Sequence, residues 1–191
     1  MVGAELTRVP PAARSSFVRE AWHAWVRVYA LLWAFTLGGC VLVLVVPGGP
    51  SLARGLLPLT LTAAHNPPPN LAGVLSIAAN NTLRSVWPLT LGLLDAQRRR
   101  ATRLLADGAV MANLLVSGLL VGGAVGGYGV RVLAFLPHLP LEWAGLALGA
   151  AGWTTDRGRR INQHERIMTV ALIVIMLLCA AIIETRLVPY R

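Results

Sequence analysis

The sequence predicts an all-α integral membrane protein with about five transmembrane helices and a cytoplasmic N-terminus. Composition is the first reason: 55% of the 191 residues are hydrophobic and only 13% are charged, against about 25% charged in a typical soluble domain. The mean hydropathy is accordingly high, at +0.63. The second reason is a series of apolar runs long enough to cross about 30 Å of hydrocarbon. The third is the clustering of arginine in the connectors between those runs.

Residues 1–27 are predicted to form a cytoplasmic arm and an amphipathic interfacial helix. Two prolines and the lack of apolar periodicity favour a loose arm up to about Ser16. From Phe17 to Val28, aromatic and aliphatic residues recur at helical spacing with charged residues between them, which is typical of helices at a membrane surface. Residues 28–187 form the predicted transmembrane domain, a single domain of five helices.

Five apolar runs predict the spans, at approximately residues 28–46, 71–94, 106–130, 131–153 and 167–183. The first run ends sharply at the turn sequence Pro47-Gly48-Gly49-Pro50. Glycines recur every three or four residues in the third and fourth runs: Gly118, Gly122 and Gly126, then Gly145, Gly149 and Gly152. Because lipid supplies no hydrophobic drive for helix association, this spacing predicts closely packed helices.

Arginine alternates between successive connectors. Four arginines precede the first span, the next connectors hold one, four, one and four, and two follow the last span. Because cytoplasmic loops are enriched in basic residues, this alternation predicts a cytoplasmic N-terminus and an external C-terminus. All 17 basic residues are arginine. Anionic lipid of the cytoplasmic leaflet is their expected partner, and nucleic acid is not.

Polar residues interrupt the second and third predicted spans. Asn80, Asn81 and Arg84 lie near the middle of the second span. Because an arginine at that depth costs at least about 2.5 kcal/mol, we expect Arg84 to face the protein interior. Asn113 adds one polar group to the third span. The three asparagines are candidate binding residues.

The hexapeptide Pro137-His138-Leu139-Pro140-Leu141-Glu142 sets ionisable groups between two apolar, glycine-rich runs. His138 and Glu142 are four residues apart, so a helix would place them on one side. The two prolines are expected to break the fourth predicted helix. Three interpretations are open at this point: an outer loop with His138 in water, a buried structural clamp without chemistry, or a functional site.

Arg84 and Glu142 are predicted to lie at similar depths in the membrane. Counting from Leu71 and from Arg131 at 1.5 Å per residue places them about 19 and 16 Å below the outer surface. We therefore expect an ion pair between Arg84 and Glu142. The neighbouring asparagines and the histidine would complete its hydrogen bonds.

His138, Glu142 and Arg84 are the candidate catalytic residues. An imidazole and a carboxylate suit proton transfer near neutral pH, and the guanidinium suits an anionic group. No cofactor and no metal site are predicted, because His138 and Glu142 supply two ligands whereas catalytic zinc usually takes three from the protein. The sequence contains no Walker A, HExxH or GxSxG motif.

Two stretches together resemble the stage II sporulation protein M family. They are Asn80-Asn81-Thr82-Leu83-Arg84 and, downstream, Pro137 to Ala144 with the small-residue run that follows. In that family, an asparagine-asparagine-x-x-arginine-like stretch precedes a glycine-rich span and then a proline-histidine-glycine-x-x-glutamate segment. The similarity covers roughly residues 71–153, with Leu139 in place of the family's glycine.

The resemblance implies a polytopic protein of the bacterial cytoplasmic (inner) membrane. The sporulation members look like scaffolds that recruit cell-wall hydrolases, so a membrane scaffold or partner subunit of a membrane complex is the first expectation. The alternative is an intramembrane acid/base enzyme subunit that uses His138, Glu142 and Arg84 on a peptide substrate. A transporter component is a third option. Another membrane protein and a peptide are thus the expected partners.

Overall fold

The computed structural model describes residues 11–57, 70–94, 99–133 and 136–187, with side chains from residue 19 onward. These ranges are helical and contain no β-strand, which confirms the predicted all-α class. The described ranges contain seven helices: α1 Pro11–Val45, α2 Gly49–Leu56, α3 Leu71–Leu93, α4 Arg100–Tyr128, α5 Val130–Leu133, α6 Leu139–Gly158 and α7 Gln163–Leu187.

Three helices are long and apolar enough to cross a membrane. The segments are Arg19–Val45 of α1, Arg100–Tyr128 of α4 and Gln163–Arg186 of α7, which supports the predicted membrane class. Helices α3 and α6 have 23 and 20 residues but are not among these three. The count of five spans and their orientation stay predictions.

Helix α1 joins the predicted interfacial helix and the first predicted span in one element of 35 residues. It continues without a break through residue 27, where the sequence pattern changes from amphipathic to apolar. The aromatic rings around its middle contact one another in series: Trp22, Trp25, Tyr29 and Trp33. Residues 1–10 of the predicted cytoplasmic arm lie outside the described residues.

Helix α6 lies at the centre of the bundle. It packs against α1, α3 and α7. Around it, α1 also packs against α4, and α3 packs against α7. Twelve of its twenty residues are buried. A helix of modest hydropathy is stable in this position because protein, rather than lipid, surrounds it.

Glycines bring the helices of this bundle into close contact, as the sequence predicts. A Cβ at Gly122 of α4 would collide with the carbonyl oxygen of Thr36 in α1. A Cβ at Gly126 would lie 2.9 Å from another carbonyl oxygen of α1. On α6, a Cβ at Gly149 would collide with the carbonyl oxygen of Ser85 in α3. Helix α4 therefore approaches α1, and α6 approaches α3, too closely to accept a larger residue at these positions.

Helices α3 and α6 run parallel, because Asn81 meets Glu142 towards one end and Leu89 lies against Gly152 further along. Helix α7 runs antiparallel to α6, because Glu184 near its C-terminal end lies beside the first turn of α6. The start of α6, the end of α7 and the middle of α3 therefore meet at one level. This meeting point contains the polar residues considered below.

The prolines of the fourth predicted segment lie where one helix has ended and the next begins. Helix α6 starts at Leu139 with Pro140 in its first turn, where the missing N–H of proline costs no helical hydrogen bond. The predicted interruption of this segment is present, because α5 ends at Leu133 and α6 begins at Leu139, and its depth in a membrane stays a prediction. The depth counted for Glu142 from Arg131 fails for the same reason, because a turn separates these residues and they do not share one helix.

Candidate functional site

A polar cluster forms where α6 begins. His138 is the N-cap residue of α6, and Glu142 lies one turn later, on the side of the helix that their spacing predicts. The Nε2 atom of His138 lies 3.8 Å from Oε2 of Glu142 and 3.9 Å from Oε2 of Glu184 on α7. His138 is only 8% exposed. The interpretation of this stretch as an outer loop with the histidine in water is therefore wrong.

Asn81 connects α3 to this cluster. Its Nδ2 donates a hydrogen bond to Oε1 of Glu142. The Nδ2 of Asn80 in turn donates to Oδ1 of Asn81, at 3.4 Å. Asn81 therefore belongs to the site by direct contact, as the sequence suggested, and Asn80 belongs to it through Asn81.

Arg84 does not form the predicted ion pair with Glu142. Among the described residues, no carboxylate oxygen lies within 4.0 Å of its guanidinium group, and Asn81 occupies the position beside Glu142. Arg84 lies almost one turn further along α3. Its side chain is exposed, so the expectation that it faces the protein interior is wrong. It lines a cavity together with Glu142, and their charges attract each other across it.

The cavity lies mainly between α3, α4 and α6 and has a volume of about 160 Å³. Its polar lining comes from five residues: Asn81, Arg84, Ser85, Ser117 and Glu142. This volume has room for a few water molecules, whereas sites for drug-sized ligands measure about 300–1,000 Å³. The cavity therefore accommodates one small polar group or a few waters.

Asn113 lies apart from the cluster. It belongs to α4 but does not line the cavity. Its Nδ2 atom is buried and finds no hydrogen-bond partner among the described residues. The structure therefore does not bring Asn113 together with Asn80 and Asn81.

Glu184 is the site residue that the sequence pattern did not single out. It lies in the last turn of α7, close to the end of an apolar run. Two features of the sequence point to it in retrospect: an acidic residue rarely ends an apolar span without a partner, and the arginine alternation puts this end on the same side as His138. Ser85 and Ser117 carried no signal, because small hydroxyl residues are common in helix interfaces.

A second polar group, at the other end of α6, is a structural clamp. Asp156 is only 3% exposed and accepts a hydrogen bond from the backbone N–H of Ile161 at 2.8 Å. It also pairs with Arg166 at 3.4 Å, and Arg166 donates to the carbonyl oxygen of Leu89 at 2.9 Å. Opposite charges and hydrogen bonds thus satisfy this group from within the protein.

The cluster at His138 differs because its polar groups are not satisfied in this way. The Nδ1 atom of His138 is buried without a hydrogen-bond partner among the described residues. The distances from Nε2 to Glu142 and Glu184 exceed the roughly 3.2 Å limit of an N–H···O hydrogen bond. A buried polar group left unsatisfied costs about 1–3 kcal/mol. The imidazole of His138 therefore has no direct hydrogen bond among the described residues, and a further group would supply one.

Comparison of the chain with protein-family models, with curated proteins and with solved structures gives no match. The chemistry of the cluster and of the adjoining cavity is therefore the basis for a functional proposal.

Proposed function

We propose that this chain is a multi-pass protein of a bacterial cytoplasmic membrane, with five spans and a cytoplasmic N-terminus. Within a membrane complex, it binds a polar group of a partner protein or peptide substrate in the cavity that Arg84 and Glu142 line. The observation that carries this proposal is the unsatisfied cluster around His138 beside that cavity. A purely structural clamp would pair its own groups, as Asp156 and Arg166 do.

The lining of the cavity selects the kind of group that it binds. The guanidinium of Arg84, the amide of Asn81 and the hydroxyl of Ser117 are hydrogen-bond donors that suit a carboxylate or carbonyl oxygen. The small volume suits one such group better than a whole drug-sized ligand. A segment of peptide or protein that reaches the cavity through the bilayer, with one polar group inside and apolar groups outside, meets both conditions.

A non-enzymatic scaffold is the second candidate. Gly39, Gly118 and Gly122 hold α1 and α4 in close backbone contact, and such a rigid pair suits a platform for another membrane protein. The resemblance to the stage II sporulation protein M family favours the same role, and membership of that family is itself part of this proposal. The two candidates differ at Arg84: a folded scaffold tolerates Arg84→Gln, whereas a subunit that holds a polar group in the cavity loses it.

Site-specific photo-cross-linking tests the proposed binding group. A photoreactive amino acid at Ser117 would line the cavity, and the same amino acid at Val116, which is 52% exposed on α4, faces away from it. We expect Ser117 to cross-link to one defined protein or peptide in native membranes. Cross-linking to lipid alone at both positions would contradict the proposal.

Arginine variants test the role of the cavity itself. Arg84→Gln removes the charge from the cavity, whereas Arg131→Gln removes an exposed arginine outside it. We expect the protein that cross-links at Ser117 to be lost with Arg84→Gln and retained with Arg131→Gln. Equal cross-linking in both variants would show that Arg84 does not hold the bound group.

A further inference from the structure

Three side chains from two helices converge on one small volume at the start of α6. His138 and Glu142 come from α6, and Glu184 comes from α7. Their nearest nitrogen and oxygen atoms all lie within 4.8 Å of one another. Catalytic zinc sites likewise take three protein ligands, drawn from imidazole, thiolate and carboxylate groups, and leave a fourth position open.

The distances between these atoms suit a shared ion better than direct hydrogen bonds. The His138 nitrogen lies 3.8 and 3.9 Å from the two carboxylate oxygens, beyond the roughly 3.2 Å limit of a hydrogen bond. Donor atoms at about 2.0–2.1 Å from a tetrahedral ion are about 3.4 Å apart. A contraction of about half an ångström at the histidine, and of at most about 1.4 Å between the two carboxylates, would close the site.

The charges point to a cation in the same place. Glu142 and Glu184 have side chains that are only 19% and 29% exposed, and two carboxylates this close repel each other when both are ionised. Among the described residues, no arginine lies within 4.0 Å of either carboxylate. A divalent ion between them would balance both charges and would bind Nε2 of His138, while the buried Nδ1 keeps no partner among the described residues.

The surroundings of Glu142 match those of a metal ligand. Asn81 donates to its Oε1 atom and leaves Oε2 directed towards His138. Hydrogen bonds of this kind orient ligating carboxylates in metal sites, and they affect metal affinity strongly. The cavity also reaches Glu142, so water or a bound group has access to the open position.

We propose that His138, Glu142 and Glu184 bind a divalent first-row transition-metal ion, with zinc as the best fit. Imidazole favours zinc over magnesium or calcium, and the two carboxylates keep manganese and iron as competitors. Glu184 supplies the third ligand that the sequence alone did not provide. The inference rests on the proposed function in one respect: the fourth coordination position of the ion is open and faces the group that the cavity binds.

Metal content of the purified full-length protein in detergent tests the inference directly. The protein carries no histidine tag, is stripped with a chelator and is then dialysed against zinc chloride. We expect about one zinc per chain by mass spectrometry of the metal. We also expect a rise in the unfolding temperature that zinc produces and chelator reverses.

Matched variants locate the site. His138→Ala and Glu184→Gln should each lower the affinity for zinc at least tenfold. His164→Ala and Glu20→Gln, which change exposed residues outside the cluster, should keep the zinc. Glu184→Asp provides a check in which the carboxylate remains, and it should bind zinc more weakly than the unmodified protein but more tightly than Glu184→Gln.

Two results would overturn the inference: no stoichiometric zinc or manganese in the unmodified protein, or equal zinc in all five variants. Neither result depends on the cross-linking at Ser117. Zinc without a cross-linked partner would therefore reject the proposed function and keep the metal site. A cross-linked partner without zinc would reject the metal site and keep the proposed function.

Discussion

Asn81 of α3 donates a hydrogen bond to Glu142 of α6, and this contact replaces the ion pair that Arg84 was expected to form. It joins two parallel helices at the level of the polar cluster. The amide satisfies one oxygen of the carboxylate and leaves the other facing His138. The orientation of Glu142, and with it the geometry of the cluster, therefore depends on a neutral residue rather than on the nearest positive charge.

Double-mutant cycles should show that Glu142 is coupled more strongly to Asn81 than to Arg84. We expect a coupling energy of about 1–3 kcal/mol between Asn81→Ala and Glu142→Ala, because the two side chains share a partly buried hydrogen bond. The cycle of Arg84→Ala with Glu142→Ala should give a smaller value, because these groups interact only across the cavity. The free energy of unfolding in detergent micelles is the measurement. Larger coupling to Arg84 would mean that the predicted ion pair does form.

Gly122→Ala should destabilise the protein by about 1–3 kcal/mol, because the new Cβ would overlap the carbonyl oxygen of Thr36 in α1. Gly108→Ala on the same helix is the matched control, since a Cβ there meets nothing within 4 Å. That change should be neutral or stabilising by up to about 1 kcal/mol, because alanine favours the helix. Unfolding temperatures of the two variants in detergent distinguish them. Equal losses would show that α1 and α4 are not in close contact at Gly122.

Asp156→Ala should cost about 3–5 kcal/mol of unfolding free energy, because it leaves Arg166 without its carboxylate partner in a buried position. Arg157→Ala is the comparison at the same end of α6. The pair that Arg157 forms with Asp107 has side chains 39% and 28% exposed, so its loss should cost less than about 1 kcal/mol. Chemical unfolding of both variants in the same detergent tests this order. A larger loss for Arg157→Ala would contradict it.

Cysteine labelling tests the proposed orientation. In a protein whose native Cys40 and Cys179 are replaced by alanine, Arg131→Cys should react with a membrane-impermeant thiol reagent added to intact cells. Arg103→Cys should react only after the cells are opened, because the basic connectors are predicted to face the cytoplasm. The opposite pattern would invert the orientation, and labelling of both positions in intact cells would reject the third span.

The positions of the long helices were predictable from the sequence alone. The predicted second span, residues 71–94, corresponds to α3 at Leu71–Leu93, and the predicted last span, residues 167–183, lies within α7 at Gln163–Leu187. Such agreement has a local cause, because a long apolar run satisfies its backbone groups within its own helix. Helix α2 and the role of Pro140 were not predictable in this way. A short helix and a helix start depend on contacts and turns that hydropathy does not describe.

The sequence by itself determined that His138 and Glu142 share one side of α6, since both lie on a single helix one turn apart. Only the tertiary structure decided that Asn81 rather than Arg84 meets Glu142, and that Glu184 joins the cluster. The physical reason is helix rotation, because each residue turns the helix by about 100° and hydropathy does not specify which side of α3 or α7 faces α6. The close approach of Gly149 to Ser85 selects that side of α3.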